Sequence, residues 1–207
     1  MLSASHALDR LREGNRRFVS NQNAGGVLST PTRGADLVGG QEPFAIILGC
    51  SDSRVPAELV FDQGFGDLFV IRVAGNIVAP SQVGSVEFAA AKFGTRLVIV
   101  LGHSQCGAVG AALDELRGDL KSQSRNLRSI VDRVRPSVET VLESHRGDDV
   151  FLFDEAVRAN VRASADHLRH GSELLESLIQ TDGLLVVGAV YSLETGVVDF
   201  FDGIPDS

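Results

Sequence analysis

The chain has 207 residues, a formal net charge of −8 and 43% hydrophobic residues, which suits one globular domain with a full core. The acidity argues against a nucleic-acid footprint or an anionic membrane surface, and no apolar run reaches the roughly 20 residues of a membrane span. The opening MLSASHALDRLREGNRRF mixes charges and lacks the apolar core of a secretory signal, so a cytoplasmic location is expected.

Residues 3–19 read as an amphipathic helix with Leu8, Leu11 and Phe18 on one side. Residues 21–40 are rich in Gly, Asn, Ser and Thr, so residues 1–40 are expected to form a helical arm and connection, and 41–207 an α/β domain. The arm must bury its apolar stripe either on its own core or on a partner subunit. Strands are expected over 44–49, 67–73, 96–101 and 184–190, because these runs are apolar throughout, as strands buried on both faces are. Between them lie helical patterns: a short one near 56–61, then 82–93, 108–116, 121–146 and 150–170. Pro136 suits the first turn of a new helix, so 121–146 is expected in two pieces. This insertion exceeds a minimal crossover, which suggests a part in assembly. Gly171 closes the helix before it, Ser172 caps a short helix to about Gln180, and Glu194-Thr195-Gly196 turns the chain into an antiparallel edge strand over 197–201. The alternation predicts an α/β fold: a mainly parallel sheet flanked by helices, with an antiparallel edge strand and an N-terminal helical arm.

Two of these strands run directly into chemistry. AIILG leads into Cys50, Asp52 and Arg54, and LVIVLG leads into His103 and Cys106. The carboxyl edge of an open α/β sheet is where ligands bind. Two cysteines and a histidine there fit a zinc site with three protein ligands and one open position. Two thiolates cancel the charge of the ion, so nearby groups gain importance in acidifying water. Asp52, held by Arg54, can orient a zinc-bound hydroxide. Asp52 can instead be a fourth ligand that closes the site at low pH. Competition between these states predicts activity that rises with pH.

CSDSRVP followed by GHSQCG resembles the β-class carbonic anhydrases, whose hallmark is CxDxR plus HxxC. The resemblance is clear over residues 41–107 and extends loosely to EGNRRF and GAVYSLETG. It implies an enzyme with one Zn²⁺ per chain, held by Cys50, His103 and Cys106, that interconverts CO₂ and bicarbonate by attack of zinc-bound hydroxide. It also implies a homodimer, in some members assembled further, in which the N-terminal helix embraces its partner. Members with a regulatory bicarbonate pocket carry a Trp where Ile47 stands, three residues before Cys50, together with an Arg and a Tyr matched here by Arg72 and Tyr191. Ile47 argues against that pocket. Gln41, nine residues before Cys50, matches members resembling the plant enzyme. Phe69 and Phe88 match aromatic wall positions that suit apolar CO₂, and Gln41 and the backbone N–H of Gly107 are candidate donors to a substrate oxygen.

Two other readings compete. The same scaffold can hydrolyse another linear triatomic, carbonyl sulfide or carbon disulfide. A zinc site closed by four protein ligands at every pH would instead mark a structural or redox-sensing protein, although such a site has little use for Asp52 and Arg54.

Overall fold

Apolar, β-branched runs form strands here because both faces of the central sheet are covered. The computed structural model describes residues 2–22, 37–118, 124–144 and 149–205. In chain order the elements are α1 (Ala4–Val19), β1 (Ala45–Gly49), α2 (Ala57–Val60), β2 (Leu68–Arg72), α3 (Pro80–Lys92), β3 (Leu97–His103), α4 (Gly107–Arg117), α5 (Arg125–Ser144), α6 (Asp149–His170), α7 (Glu173–Thr181), β4 (Leu185–Tyr191) and β5 (Val198–Asp202). The strands form one sheet in the order β2-β1-β3-β4-β5, parallel except for β5. The expected α/β architecture and antiparallel edge strand are therefore present.

Side-chain alternation divides the core between the two faces. Ala45, Ile47, Leu97, Ile99 and Val187 face α1 and α2, while Ile46, Leu48, Val98, Val100 and Val186 face α3, α6 and α7. The chain leaves β1 toward β2, then returns across to β3 on the other side. That reversal opens a crevice beyond the carboxyl ends of β1 and β3, where Cys50 and His103 stand.

Three local expectations change in detail. β3 runs through Gly102 and His103, which pair with Val190 and Tyr191, so the histidine sits on a strand rather than in a turn. A Cβ at Gly102 would meet Val161 Cγ2 at 2.5 Å, so glycine there is what lets α6 lie against the sheet. α5 continues through Pro136 as one helix rather than two. Its buried Val131, Val134 and Val138 keep helical spacing on both sides of the proline, and that shared apolar face outweighs the one lost backbone hydrogen bond. α3 begins at Pro80, two residues earlier than expected, with proline in the first turn.

The apolar stripe of α1 lies on the chain's own sheet, with Ala7, Leu8 and Leu11 buried. Asn15 locks it there: its Nδ2 donates to the carbonyls of Val60 (3.1 Å) and Gly196 (2.9 Å), and its Oδ1 accepts from Val198 N–H at 2.9 Å. Most of the connection expected over 21–40 lies outside the described residues. The helical insertion between β3 and β4 also has a place in the core. α5 and α6 pack with α4 around Cys50 and Cys106, walling the crevice on one side. Among the described residues, no helix is long and apolar enough to cross a membrane.

Candidate metal centre

β1 ends at Gly49 and delivers Cys50, β3 delivers His103 from its last position, and Cys106 caps α4. Their ligand atoms lie within 4.8 Å of one another, and all three residues are buried. Sulfur and imidazole atoms so placed match the donor set that zinc prefers.

The imidazole shows the strongest sign of an ion. His103 Nδ1 lies 2.8 Å from the carbonyl oxygen of Ser104, which can only accept, so Nδ1 carries the proton. Nε2 then presents a lone pair to the two sulfurs, and this fully buried atom has no hydrogen-bond partner among the described residues. An orphaned buried acceptor is unfavourable unless something binds it, and a carbonyl holding the opposite ring nitrogen is the usual companion of a metal-binding histidine.

The sulfurs are prepared as well. Gly75 N–H donates to Cys50 Sγ at 3.3 Å, from a 3₁₀ turn in which Gly75 has φ +71°, a conformation glycine adopts freely. The Cys50 thiol is brought well below its usual range, chiefly by its hydrogen bond with Cys106, against burial, and with help from His103 and the N–H groups of Gly75 and Asp52. Cys106 is pushed strongly up by the same bond and by burial, although the N–H groups of Val109 and Ala108 at the start of α4 oppose this. The two sulfurs thus share one proton that a divalent ion must displace. Burial pulls the His103 pKa down, but contact with the Cys50 sulfur, the Ser104 carbonyl and Asp52 leaves it raised.

Asp52 stands beside this set and outside it. Its Oδ1 accepts from Arg54 N–H (3.0 Å) and Nε (2.9 Å), its Oδ2 accepts from Nη2 at 2.7 Å, and Oδ2 lies 3.9 Å from His103 Nε2. The Arg54 side chain holds the Asp52 carboxyl well below the usual carboxylate range. The expected pair is therefore bidentate. Arg72, matched in sequence to a regulatory-pocket residue, is a clamp on this loop. Its guanidinium donates to the carbonyls of Cys50 (3.1 Å) and Asp52 (2.5 Å). Tyr191 is buried and packs toward Phe18 of α1, with ring centroids 6.4 Å apart, and Ile47 is fully buried in β1.

The substrate-side residues divide. Gly107, the first residue of α4, borders Cys106, and with Phe153 they line a cleft of about 420 Å³. Phe153 lies in the helical insertion and carries no sequence signal. Phe69 and Phe88 are not brought to the ligands of their own chain. Phe69 pairs with Ile46, four residues before Cys50, which is about 13 Å along the strand. Phe69 and Phe88 instead join Phe93 in an aromatic cluster, with centroids 5.7–6.2 Å apart. Gln41 is exposed ahead of β1. Of the residues the sequence left unassigned to the site, Gly75 and Asn160 also support it. Asn160 Nδ2 donates to the Gly75 carbonyl at 2.8 Å, steadying the turn that caps Cys50.

A mainly parallel α/β sheet that gathers two cysteine sulfurs and an imidazole at its switch point has the architecture of an open-sheet zinc protein. The carbonic anhydrase family model matches residues 45–198. Carbonic anhydrase 2 of Mycobacterium tuberculosis is 39% identical over 90% of this chain and 87% of its own length. The carbonic anhydrase of Mycolicibacterium smegmatis is 36% identical over 95% of this chain and 92% of its own. Among solved structures, the β-carbonic anhydrase CafA of Aspergillus fumigatus superposes with a TM-score of 0.75 at 25% identity, covering 98% of this chain and 92% of that one. The chain belongs to the carbonic anhydrase family, in its β class. The zinc expected from the residues is the metal of that class, and Cys50, His103 and Cys106 form the cluster that fits it.

Proposed function

We propose that this protein catalyses reversible hydration of CO₂ to bicarbonate and a proton at a zinc ion held by Cys50, His103 and Cys106, with the Asp52–Arg54 pair orienting the nucleophile. The observation that carries this reading is the buried, unpartnered His103 Nε2 facing two sulfurs, beside a carboxylate whose two oxygens are both engaged by one arginine. When bound, zinc would supply the Lewis acidity that lowers the pKa of water at the site. Asp52, kept ionised by Arg54, accepts a hydrogen bond from the attacking water and turns a lone pair toward CO₂. Arg72 holds the loop that carries Asp52. The Gly107 N–H and Gln41 are the proposed donors to the substrate oxygen, and the released proton leaves to solvent. Engagement of Asp52 by Arg54 favours an open fourth metal position and supports the catalytic reading over a closed structural zinc site.

Phe69 and Phe88 can line a metal centre only across a subunit interface. β2 is an edge strand, and Phe88 and the nearby Phe65 are more than half exposed (53% and 55%), which supports a homodimer built on this edge. The apolar stripe of α1 is already covered, so a dimer contact made by α1 would use its outer face. Buried Ile47, the carbonyl-bound Arg72 and the packed Tyr191 support the plant-like subtype without a regulatory pocket. Two free thiols serving as metal ligands suit a reducing compartment, which supports the cytoplasm.

Stopped-flow CO₂ hydration on zinc-loaded protein between pH 7 and 9 tests the proposal. Wild type should turn over well above background, more so at higher pH, and Asp52→Asn should lose about 10²-fold or more in kcat. Background rates in the zinc-loaded wild type would sink it. Running carbonyl sulfide in parallel separates the hydrolase alternative.

A further inference from the structure

The short turn between His103 and Cys106 has to place an imidazole and a thiolate on one ion, and its backbone is not relaxed. Gln105 adopts φ +55°, a left-handed conformation that residues other than glycine resist. Something outside the turn must hold it. Among the described residues, the hydrogen bonds doing so come from the end of β4 and the segment that joins it to β5, some ninety residues later in the chain. Ser104 N–H donates to the Tyr191 carbonyl at 2.9 Å, and Leu193 N–H donates to Ser104 Oγ at 2.9 Å. The other two contacts converge on one carboxylate. Ser104 Oγ donates to Glu194 Oε2 at 2.8 Å, and Gln105 Nε2 donates to Glu194 Oε1 at 2.6 Å.

We infer that Glu194 is a positioning residue of the metal centre: its carboxylate bridges Ser104 and Gln105 and so sets the geometry in which His103 and Cys106 meet a zinc ion. This rests on the zinc centre proposed above, though not on turnover. The path to the ligands is short. Ser104 presents the carbonyl that accepts the hydrogen bond from His103 Nδ1–H, so a fixed Ser104 fixes the ring and the direction of Nε2. Gln105, held in its left-handed conformation, leads directly into Cys106 at the head of α4. An exposed carboxylate in a simple ion pair contributes little. Glu194 differs because it gathers three hydroxyl and amide donors, the third being Ser192 Oγ at 3.1 Å. These donors also lower its pKa, with Ser104 the largest influence, as expected for a group held in its charged form.

The test measures Zn²⁺ affinity by competition with a chromophoric chelator, and records the visible spectrum of the Co²⁺-substituted protein, with no turnover involved. Glu194→Ala should weaken zinc binding about 10- to 100-fold and shift the thiolate-to-cobalt bands. Glu194→Gln should bind within about threefold of wild type, because a glutamine can accept from Ser104 and donate to the amide oxygen of a flipped Gln105. Gln105→Ala supplies a second route should Glu194→Ala prove poorly folded, and it should be non-additive with Glu194→Ala in a double-mutant cycle. The inference is overturned if Glu194→Ala binds zinc within twofold of wild type with an unchanged cobalt spectrum, or if the two alanine substitutions add. A wild type that binds one zinc yet leaves CO₂ unreacted would remove the proposed function and leave this inference standing.

Discussion

Substituting Gly102 with alanine tests how the helical insertion and the metal centre are joined. The new Cβ would meet Val161 Cγ2 at 2.5 Å and Val157 Cγ1 at 3.4 Å, whereas carbons pack comfortably at about 3.5–4.0 Å. One side must therefore move by about 1 Å or more. β3 is hydrogen-bonded to strands on both sides, so the movement falls on α6. Overpacking of this kind costs about 1–3 kcal/mol. The displacement is felt at the metal, because Asn160, adjacent to Val161, holds the Gly75 carbonyl, and Gly75 N–H caps Cys50 Sγ. Urea unfolding of the metal-free Gly102→Ala protein should show a loss of about 1–3 kcal/mol, and chelator competition should show weaker zinc binding. Val161→Ala alone removes two buried methyl groups at about 0.8 kcal/mol each, plus a cavity contribution. In the double mutant the added methyl occupies that space, so the pair should be more stable than the sum of singles by at least about 1 kcal/mol. A Gly102→Ala loss below about 0.5 kcal/mol, or strict additivity with Val161→Ala, would refute the steric coupling.

Zinc binding should release about one proton per ion near pH 8, measured by calorimetry in buffers of different ionisation enthalpy, because the paired sulfurs hold one proton between them until metal arrives. The sign follows: affinity falls as pH falls, and the raised His103 pKa steepens the fall toward acid. No proton release would mean that both sulfurs are ionised without metal. Asn15→Ala should destabilise the protein by about 3 kcal/mol in urea unfolding, since it strips partners from the Val60 and Gly196 carbonyls and from Val198 N–H. An effect under about 1 kcal/mol would show that α1 is held by its apolar stripe alone. Arg72→Leu should lower zinc affinity about tenfold by freeing the Cys50 and Asp52 carbonyls, and unchanged affinity in the same chelator competition would remove the clamp.

Much of the centre is legible in the amino-acid sequence. Cys50, Asp52 and Arg54 lie within five residues, and His103 and Cys106 within four, so each half is local chemistry attached to a buried strand. The strands themselves declare their burial by unbroken apolar runs, and Ser172 and the Gly196 turn mark their positions by residue type. Wherever a short stretch of chain decides the outcome, the amino-acid order by itself determined it. The tertiary structure decided everything that rests on contacts between distant segments. Neighbouring-strand pairing extends β3 to His103, and a valine face shared with α4 and α6 carries α5 through Pro136. The sheet, rather than a partner, covers the stripe of α1. Arg72 reaches back 22 residues to the loop of Cys50, Asn160 reaches 85 residues to Gly75, and Glu194 reaches 90 residues to Ser104. Such partners leave no local pattern, because a carbonyl or an amide becomes a partner only once packing has brought it near and excluded the water that would otherwise take its place.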